Sequence, residues 1–323
     1  MRRFLLFVPK SRPLLLLLHA AAIGFLANAT PSYGAPSQSE VEIGEKGSVA
    51  QLRYDAASWP HSDIVEQWVR RSMKIVGGYY GRFPVPHLII DIRPVAGTGV
   101  RHGRAIPTDP PTIRVTLGRD VTATELLQDW ILPHEMIHLA LPEVGDEHLW
   151  LAEGLATYVE GVARVQAGNL DSAEFWTGLV RQMPKGMPRT GDRGLDQTHT
   201  WGRTYWGGAL FCLEADVEIH ERTGNRFGLQ DALRAVAHAS GGYLGQWSID
   251  RVLQTGDEAT GVHVLRDLYA KMRDQPVAPD LAALWQRVGI DTSDDRERLD
   301  EHGPGAALRA AITKARVDST DRG

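Results

Sequence analysis

The chain has 323 residues, 43% of them hydrophobic and 23% charged, with a formal net charge of −5. This is the composition of a soluble globular protein, long enough for one large catalytic unit or two modest domains. The lack of a basic excess argues against a nucleic-acid partner, and a single cysteine excludes an internal disulfide.

The first residues read as an export signal. Arg2, Arg3, Lys10 and Arg12 give a positive start, residues 14–26 are apolar except for His19, and Ala27-Asn28-Ala29 is a small-x-small site. That layout predicts a signal peptide cleaved after Ala29, the rival being an uncleaved membrane anchor, for which the apolar run is short. Cleavage takes four positive charges from −5 and leaves −9. Export without disulfides suits a bacterial periplasm or secretion, and demands a self-sufficient core or a metal. Residues 30–39 read as a flexible leader. Residues 40–55 alternate around Gly44 and Gly47, as in a short hairpin. Ser62 or Asp63 can cap a helix to about residue 76, with Ile64, Val65, Trp68, Val69, Met73 and Val76 on one face, and Gly77-Gly78 ends it. Strands are predicted at 87–92 and 113–117. Residues 94–111, rich in Gly and Pro, are predicted to be a loop. The 113–117 strand reads either as an edge that pairs with a substrate backbone or as an ordinary edge.

Thr122 or Thr124 then starts a helix anchored by Leu126, Leu127, Trp130, Ile131, Ile137 and Leu141. It carries His134-Glu135-Met136-Ile137-His138. Histidines four apart on a helix lie about 40° apart around the axis and about 6 Å apart along it, so both can grip one ion. The glutamate between them can reach a water on that ion. This is the H-E-x-x-H arrangement of zinc hydrolases. Pro133 implies a kink or a new helix at that point, and the histidine spacing survives either way. A short acidic turn at 142–147 leads into a helix over residues 149–166. Its apolar stripe is Leu151, Leu155, Tyr158 or Val159, and Val162. Glu153, Thr157 and Glu160 fall on another face. A short turn makes the two helices antiparallel neighbours and returns Glu153 to the histidine pair. Glu160 reads as a solvated residue or, with Asp129, as a candidate to orient the imidazoles.

The segment from Trp150-Leu151-Ala152-Glu153-Gly154 through Leu155-Ala156-Thr157-Tyr158-Val159-Glu160 resembles the W-L-x-E-G-x-A-x-[YF]-x-E segment of the gluzincin metallopeptidases. Both the aminopeptidase N family and the glycyl aminopeptidase family carry it. The resemblance implies that Glu153 is the third zinc ligand, and the shorter spacing from His138 implies a trimmed loop relative to aminopeptidase N. Residues 168–204 are rich in Gly, Pro and charge, with 183–191 non-helical. Thr204-Tyr205-Trp206-Gly207-Gly208-Ala209-Leu210 opens a helix to about residue 221. It resembles the family's Tyr-x-Lys-Gly-Ala-like segment, whose tyrosine donates to the oxyanion. Tyr205 matches that tyrosine, or else packs at a helix start, and Gly207 stands where the lysine is usual. Cys212 reads as a buried small hydrophobe rather than a catalytic thiol. Helices follow at 227–239, 249–254, 262–272 and 281–288. Asp267-Leu268-Tyr269, Asp280-Leu281, Gly289-Ile290 and the earlier Tyr79-Tyr80-Gly81-x-Phe83-Pro84 resemble the glycyl aminopeptidase catalytic region. The resemblance thus covers residues 60–290, without that family's N-terminal β domain or C-terminal peptide-binding domain. Residues 291–323 are charged, with one Ala-rich helix near 305–316.

The expected organisation is a signal peptide (1–29), a leader with a short β segment (30–60), a zincin N-terminal lobe with the zinc site (61–166), a helical C-terminal lobe (167–290) and a charged tail (291–323). The expected fold is α+β, a thermolysin-like zincin catalytic domain with a small mixed sheet over two zinc-binding helices. The resemblance implies Zn2+ on His134, His138 and Glu153, with Glu135 as general base, Tyr205 on the oxyanion, and a peptide or protein substrate. The alternatives are a non-catalytic gluzincin-like protein that binds peptides around a structural zinc, and a zinc hydrolase with a non-peptide substrate. Aminopeptidases of this kind carry a G-x-M-E-N-like strand whose glutamate binds the substrate amine. None precedes His134, so the choice between exo- and endopeptidase stays open. Arg203 and His199, just upstream of Tyr205, read as binders of a substrate carboxylate or carbonyl, or as structural residues. No membrane span is expected after signal cleavage, and the oligomeric state stays open.

Overall fold

The computed structural model describes residues 38–45, 47–55, 62–294 and 297–315. The expected signal peptide lies outside the described residues. Strands β1 (Gln38–Glu45) and β2 (Ser48–Asp55) form the expected antiparallel hairpin, with Gly47 at φ +86° in its turn. Helix α1 spans Ser62–Tyr80, past the predicted stop at Gly77-Gly78. Two glycines cost a helix about 2 kcal/mol, and tertiary contacts override that. Tyr79 is buried, and its carbonyl accepts from Gln230 Nε2 and Arg234 Nε, each at 2.7 Å. Gly81, at φ +84°, makes the actual turn.

Strands β3 (His87–Val95), β4 (Val100–Ile106) and β5 (Thr112–Gly118) complete a five-stranded mixed sheet of order β1-β2-β3-β5-β4. β2–β3 and β3–β5 are parallel, whereas β4–β5 is antiparallel. Alternation buries Leu88, Ile90 and Ile92 on β3, and Ile113, Val115 and Leu117 on β5. Two expectations are corrected. The 113–117 strand is internal, and the edge strand is β4, inside the segment predicted to be a loop. The prolines there lie outside β4, and its glycine, Gly103, marks close packing rather than a turn.

The rest is helical: α2 (Ala123–Gln128), α3 (Ile131–Ile137), α4 (Leu149–Gln166), α5 (Ser172–Gln182), α6 (Gly208–Thr223), α7 (Leu229–Ser240), α8 (Ile249–Thr260), α9 (Leu265–Met272), α10 (Leu281–Arg287) and α11 (Pro304–Thr313). Thr122 caps α2 in a reciprocal box with Glu125. α5 falls within 168–204, where no helix was expected; Asp171 caps it by accepting from the Glu174 backbone, and Phe175, Trp176 and Leu179 are buried. Within the segment expected as a charged tail, a two-stranded ribbon (β6, Ile290–Asp291; β7, Arg298–Leu299) precedes α11. Leu308 and Ile312 of α11 are buried, and Arg309 Nη1 donates to the Val288 carbonyl at 2.6 Å. Among the described residues no helix is long and apolar enough to cross a membrane. The chain is thus a mixed α/β protein with one small mixed sheet and many helices.

One crossing positions the helices around the candidate site. Gly154 of α4 faces Gly208 at the start of α6. A Cβ on Gly208 would stand 2.0 Å from the Trp150 carbonyl oxygen, and one on Gly154 would stand 2.3 Å from Gly208 Cα. Both obstacles are backbone, so neither can rotate aside. Gly208→Ala is expected to lower stability by about 3 kcal/mol, the upper end for overpacking; urea unfolding monitored by circular dichroism would measure it.

Candidate metal centre

The proline dilemma is settled by a fresh helix start. Asp129 sits between α2 and α3 and accepts from the backbone amides of Ile131 and Leu132, each at 3.0 Å. Trp68 Nε1 of α1 donates to the same carboxylate at 3.0 Å. Burial pushes the Asp129 carboxyl above its ordinary range, and these three donors oppose the rise. Pro133 is the third residue of α3, where its missing N–H costs no helical bond. α3 ends at Ile137, so His138 opens a short 3-10 turn to Ala140.

His134 and His138 project toward α4, and Glu153 comes back to meet them. His134 Nε2 lies 3.3 Å from Glu153 Oε2, and His138 Nε2 lies 3.6 Å from the same atom. One ligand atom from each residue falls within 4.8 Å of the others. Two ligands each about 2.1 Å from a tetrahedral ion stand about 3.4 Å apart. Two imidazole nitrogens and a carboxylate oxygen at these separations therefore fit a metal ion. Without the ion, the three form a charge cluster. Burial would raise the Glu153 carboxyl, but the facing imidazoles outweigh it and hold it at about 2. Burial likewise opposes charge on His138, yet Glu153 and Glu135 raise it.

Glu135 points across to the sheet. Its Oε2 accepts from the Ala105 backbone N–H of β4 at 2.7 Å. Gly103 makes the approach possible: a Cβ there would stand 2.7 Å from both Glu135 Cγ and Ile131 Cγ2. The fourth side of the pocket is Tyr205, on a π-helical turn, Gly202–Gly207, that leads into α6. Its ring lies over His134, 6.4 Å between centroids and 17° from parallel. Burial pushes its hydroxyl up to about 12, helped by the charges of Glu153 and Glu135, so at neutral pH it is a proton donor.

The structure brings together five of the predicted residues: His134, Glu135, His138, Glu153 and Tyr205. It does not place the other two on the pocket. Arg203, read as a substrate binder, is 2% exposed; its Nη1 donates to the Gly186 carbonyl at 2.6 Å and its Nε pairs with Asp192 at 2.8 Å. Its charge is used up inside the fold, where it fixes the turn bearing Tyr205. His199 is exposed in the loop ahead of that turn. A Cβ on Gly207 would stand 3.1 Å from Arg203 Nη1 and 3.3 Å from the Gly186 carbonyl oxygen, so any side chain there would press on both. Asp129 and Glu160, read as orienters of the imidazoles, serve other partners: Asp129 caps α3, and Glu160 pairs with Arg164 at 3.3 Å. Leu127 and Trp130, read as helix anchors, are each 49% exposed. Sequence reasoning missed Gly103 and Ala105, whose signal was the single glycine in an otherwise strand-like run.

No protein-family model matches the chain, and no curated protein matches it. Solved structures do. An aminopeptidase N family protein from Idiomarina loihiensis aligns with a TM-score of 0.58 at 14% identity, over 79% of this chain and 49% of that one. An M1 zinc metallopeptidase from Deinococcus radiodurans aligns with a TM-score of 0.50 at 16% identity, over 76% of this chain and 52% of that one. A two-domain M1 zinc metallopeptidase bound to L-tryptophan aligns with a TM-score of 0.50 at 16% identity, over 75% and 53%. The chain therefore spans about half the length of the structures it matches. The likeness shows a shared fold.

Two expectations about stability follow. Arg203→Ala leaves Asp192 buried and unpaired, and should cost about 3–5 kcal/mol in urea unfolding. Burial raises the Glu160 carboxyl from 4.5 to about 7. Below the lower value it is neutral in both folded and unfolded chains; between the two only the unfolded chain releases the proton. Its contribution is thus complete at low pH and lost as pH rises through about 7. Glu214 is held at about 7 by burial in the same way. Unfolding measured from pH 4.5 to 8 should therefore show a fall in stability that Glu160→Gln reduces and does not abolish.

Proposed function

We propose that the chain is a zinc-dependent metallopeptidase of gluzincin type, exported by its N-terminal signal, with a thermolysin-like arrangement of sheet and zinc helices. The observation that carries this is the convergence of one ligand atom each from His134, His138 and Glu153 within 4.8 Å, both histidines at tetrahedral-edge separations from Glu153, with Glu135 and Tyr205 beside them. The shared fold of the M1 zinc metallopeptidase structures supports it. A structural zinc site usually closes with four protein ligands and needs no base, whereas this one has three and a carboxylate next to them.

Zinc held there supplies a Lewis acid that polarises a carbonyl and brings the pKa of water to about 7. His134, His138 and Glu153 are the ligands. Glu135 accepts the proton of the attacking water and delivers it to the leaving amine. The Ala105 N–H already fixes the orientation of that carboxylate. Tyr205, protonated at neutral pH, donates to the oxyanion. The substrate lies along β4, whose outer edge ends the sheet among the described residues. β4 carries Arg101, His102 and Arg104 and no acidic residue, so it offers no carboxylate to a free amine. We do not assign aminopeptidase activity on the strength of the shared fold.

The test is zinc-loaded protein incubated with a mixed peptide library and read by mass spectrometry. Internal cuts identify an endopeptidase, and stepwise trimming an aminopeptidase. Glu135→Gln should retain one equivalent of zinc and lose turnover by at least about 1000-fold. His134→Ala should lose the zinc itself. Activity that survives Glu135→Gln undiminished would overturn the mechanism. An intact library with the wild type would favour a peptide-binding protein with a structural metal.

A further inference from the structure

Two indoles stand in solvent beside the pocket. Trp201 is 60% exposed and Trp130 is 49% exposed. Isolated exposed hydrophobics are ordinary on protein surfaces. These two differ in what they touch. The Trp201 ring lies 6.0 Å from Tyr205 and 28° from parallel, and Tyr205 lies 17° from parallel with His134. Aromatic faces thus run in series from a metal-facing imidazole out to solvent. Trp130 meets the same imidazole edge-on, at 5.8 Å and 86°.

The backbone of both residues is anchored beside the site. Trp130 immediately precedes α3, and its carbonyl accepts from the His134 amide at 3.1 Å. Trp201 immediately precedes the π-helical turn that Arg203 fixes. Lys185 Nζ stands 5.8 Å from the Trp201 ring and 5.9 Å from the Trp206 ring, in cation–π range of both. An indole offers a large apolar area at little entropic cost, because it has only two side-chain torsions to immobilise.

We propose that Trp130 and Trp201 select peptides with an aromatic or large aliphatic side chain next to the scissile bond. This rests on the metallopeptidase reading above and adds a substrate class to it. A side chain of that kind reaching the zinc-side carbonyl covers one of the two indoles. An alanine side chain in the same place covers almost none of either ring.

The experiment uses zinc-loaded full chain and peptides identical except for Phe, Leu or Ala at one position. Cut sites and kcat/KM are read by mass spectrometry, and affinity for Glu135→Gln protein by calorimetry. Phe and Leu peptides should be cut beside the varied residue, with kcat/KM about tenfold above Ala, the scale of one aromatic contact with its buried area. Trp201→Ala or Trp130→Ala should shrink the Phe-over-Ala ratio about tenfold, and Trp201→Phe should restore it, with zinc content unchanged. Cleavage with a Phe-over-Ala ratio indifferent to both tryptophans overturns the proposal and leaves the peptidase reading standing. No cleavage, but tryptophan-dependent preference for the Phe peptide in calorimetry, overturns the peptidase reading and supports the aromatic site. Neither cleavage nor preference overturns both.

Discussion

The backbone contact between Gly154 and Gly208 is the constraint on which the rest of the pocket depends. Glu153 is one residue from the first glycine and Tyr205 is three residues from the second, on separate helical segments. Only glycine at both positions lets those segments approach until backbone meets backbone. A second constraint of the same kind acts across the pocket, where Gly103 lets β4 reach the Glu135 side chain. The reactive geometry is therefore set by missing side chains as much as by those present. Packing of this type has little slack, because protein interiors accommodate a misplaced methyl only by shifting whole elements.

The polar groups behind the pocket serve the scaffold. Asp129 joins α1 to the start of α3 through Trp68 and two backbone amides. Asp196 gathers Trp150 Nε1, the Tyr269 hydroxyl and His148 Nδ1 within 3.0 Å, tying the start of α4 to α9 and to the loop between α5 and the π-helical turn. Arg203 ties that turn to Gly186 and Asp192. Each tie uses a charged or strongly polar side chain where a purely apolar contact would leave the register of a short element undetermined.

Much of this was legible in the sequence. The spacing of His134 and His138, the cap at Thr122, the helix over residues 149–166 and the return of Glu153 all follow from local rules, and local rules operate over one or two turns of chain. The misreadings share a cause. α1 runs through Gly77-Gly78 because Gln230 and Arg234, some 150 positions away in sequence, donate to the carbonyl of Tyr79 near its end. The Gly and Pro content of residues 94–111 reads as a loop, yet the prolines lie outside β4 and Gly103 admits the Glu135 side chain from another element. Arg203 reads either as a substrate ligand or as a structural residue, and its burial and pairing with Asp192 fit the structural role. For α1 and β4 the deciding partners lie on other elements, outside any local window of sequence.

The bond from Ala105 to Glu135 joins two tasks that are usually described apart. On the reading proposed above, the strand whose free edge would receive an extended chain is also the strand whose Ala105 amide holds the Glu135 carboxylate. On that reading, a guest that shifts β4 would turn the Glu135 carboxylate with it, so occupancy and proton uptake would share one lever. Transplanting a longer or differently charged edge strand onto this scaffold would accordingly retune the chemistry along with the recognition. On that reading the two stay coupled for as long as the Ala105 amide ties β4 to Glu135.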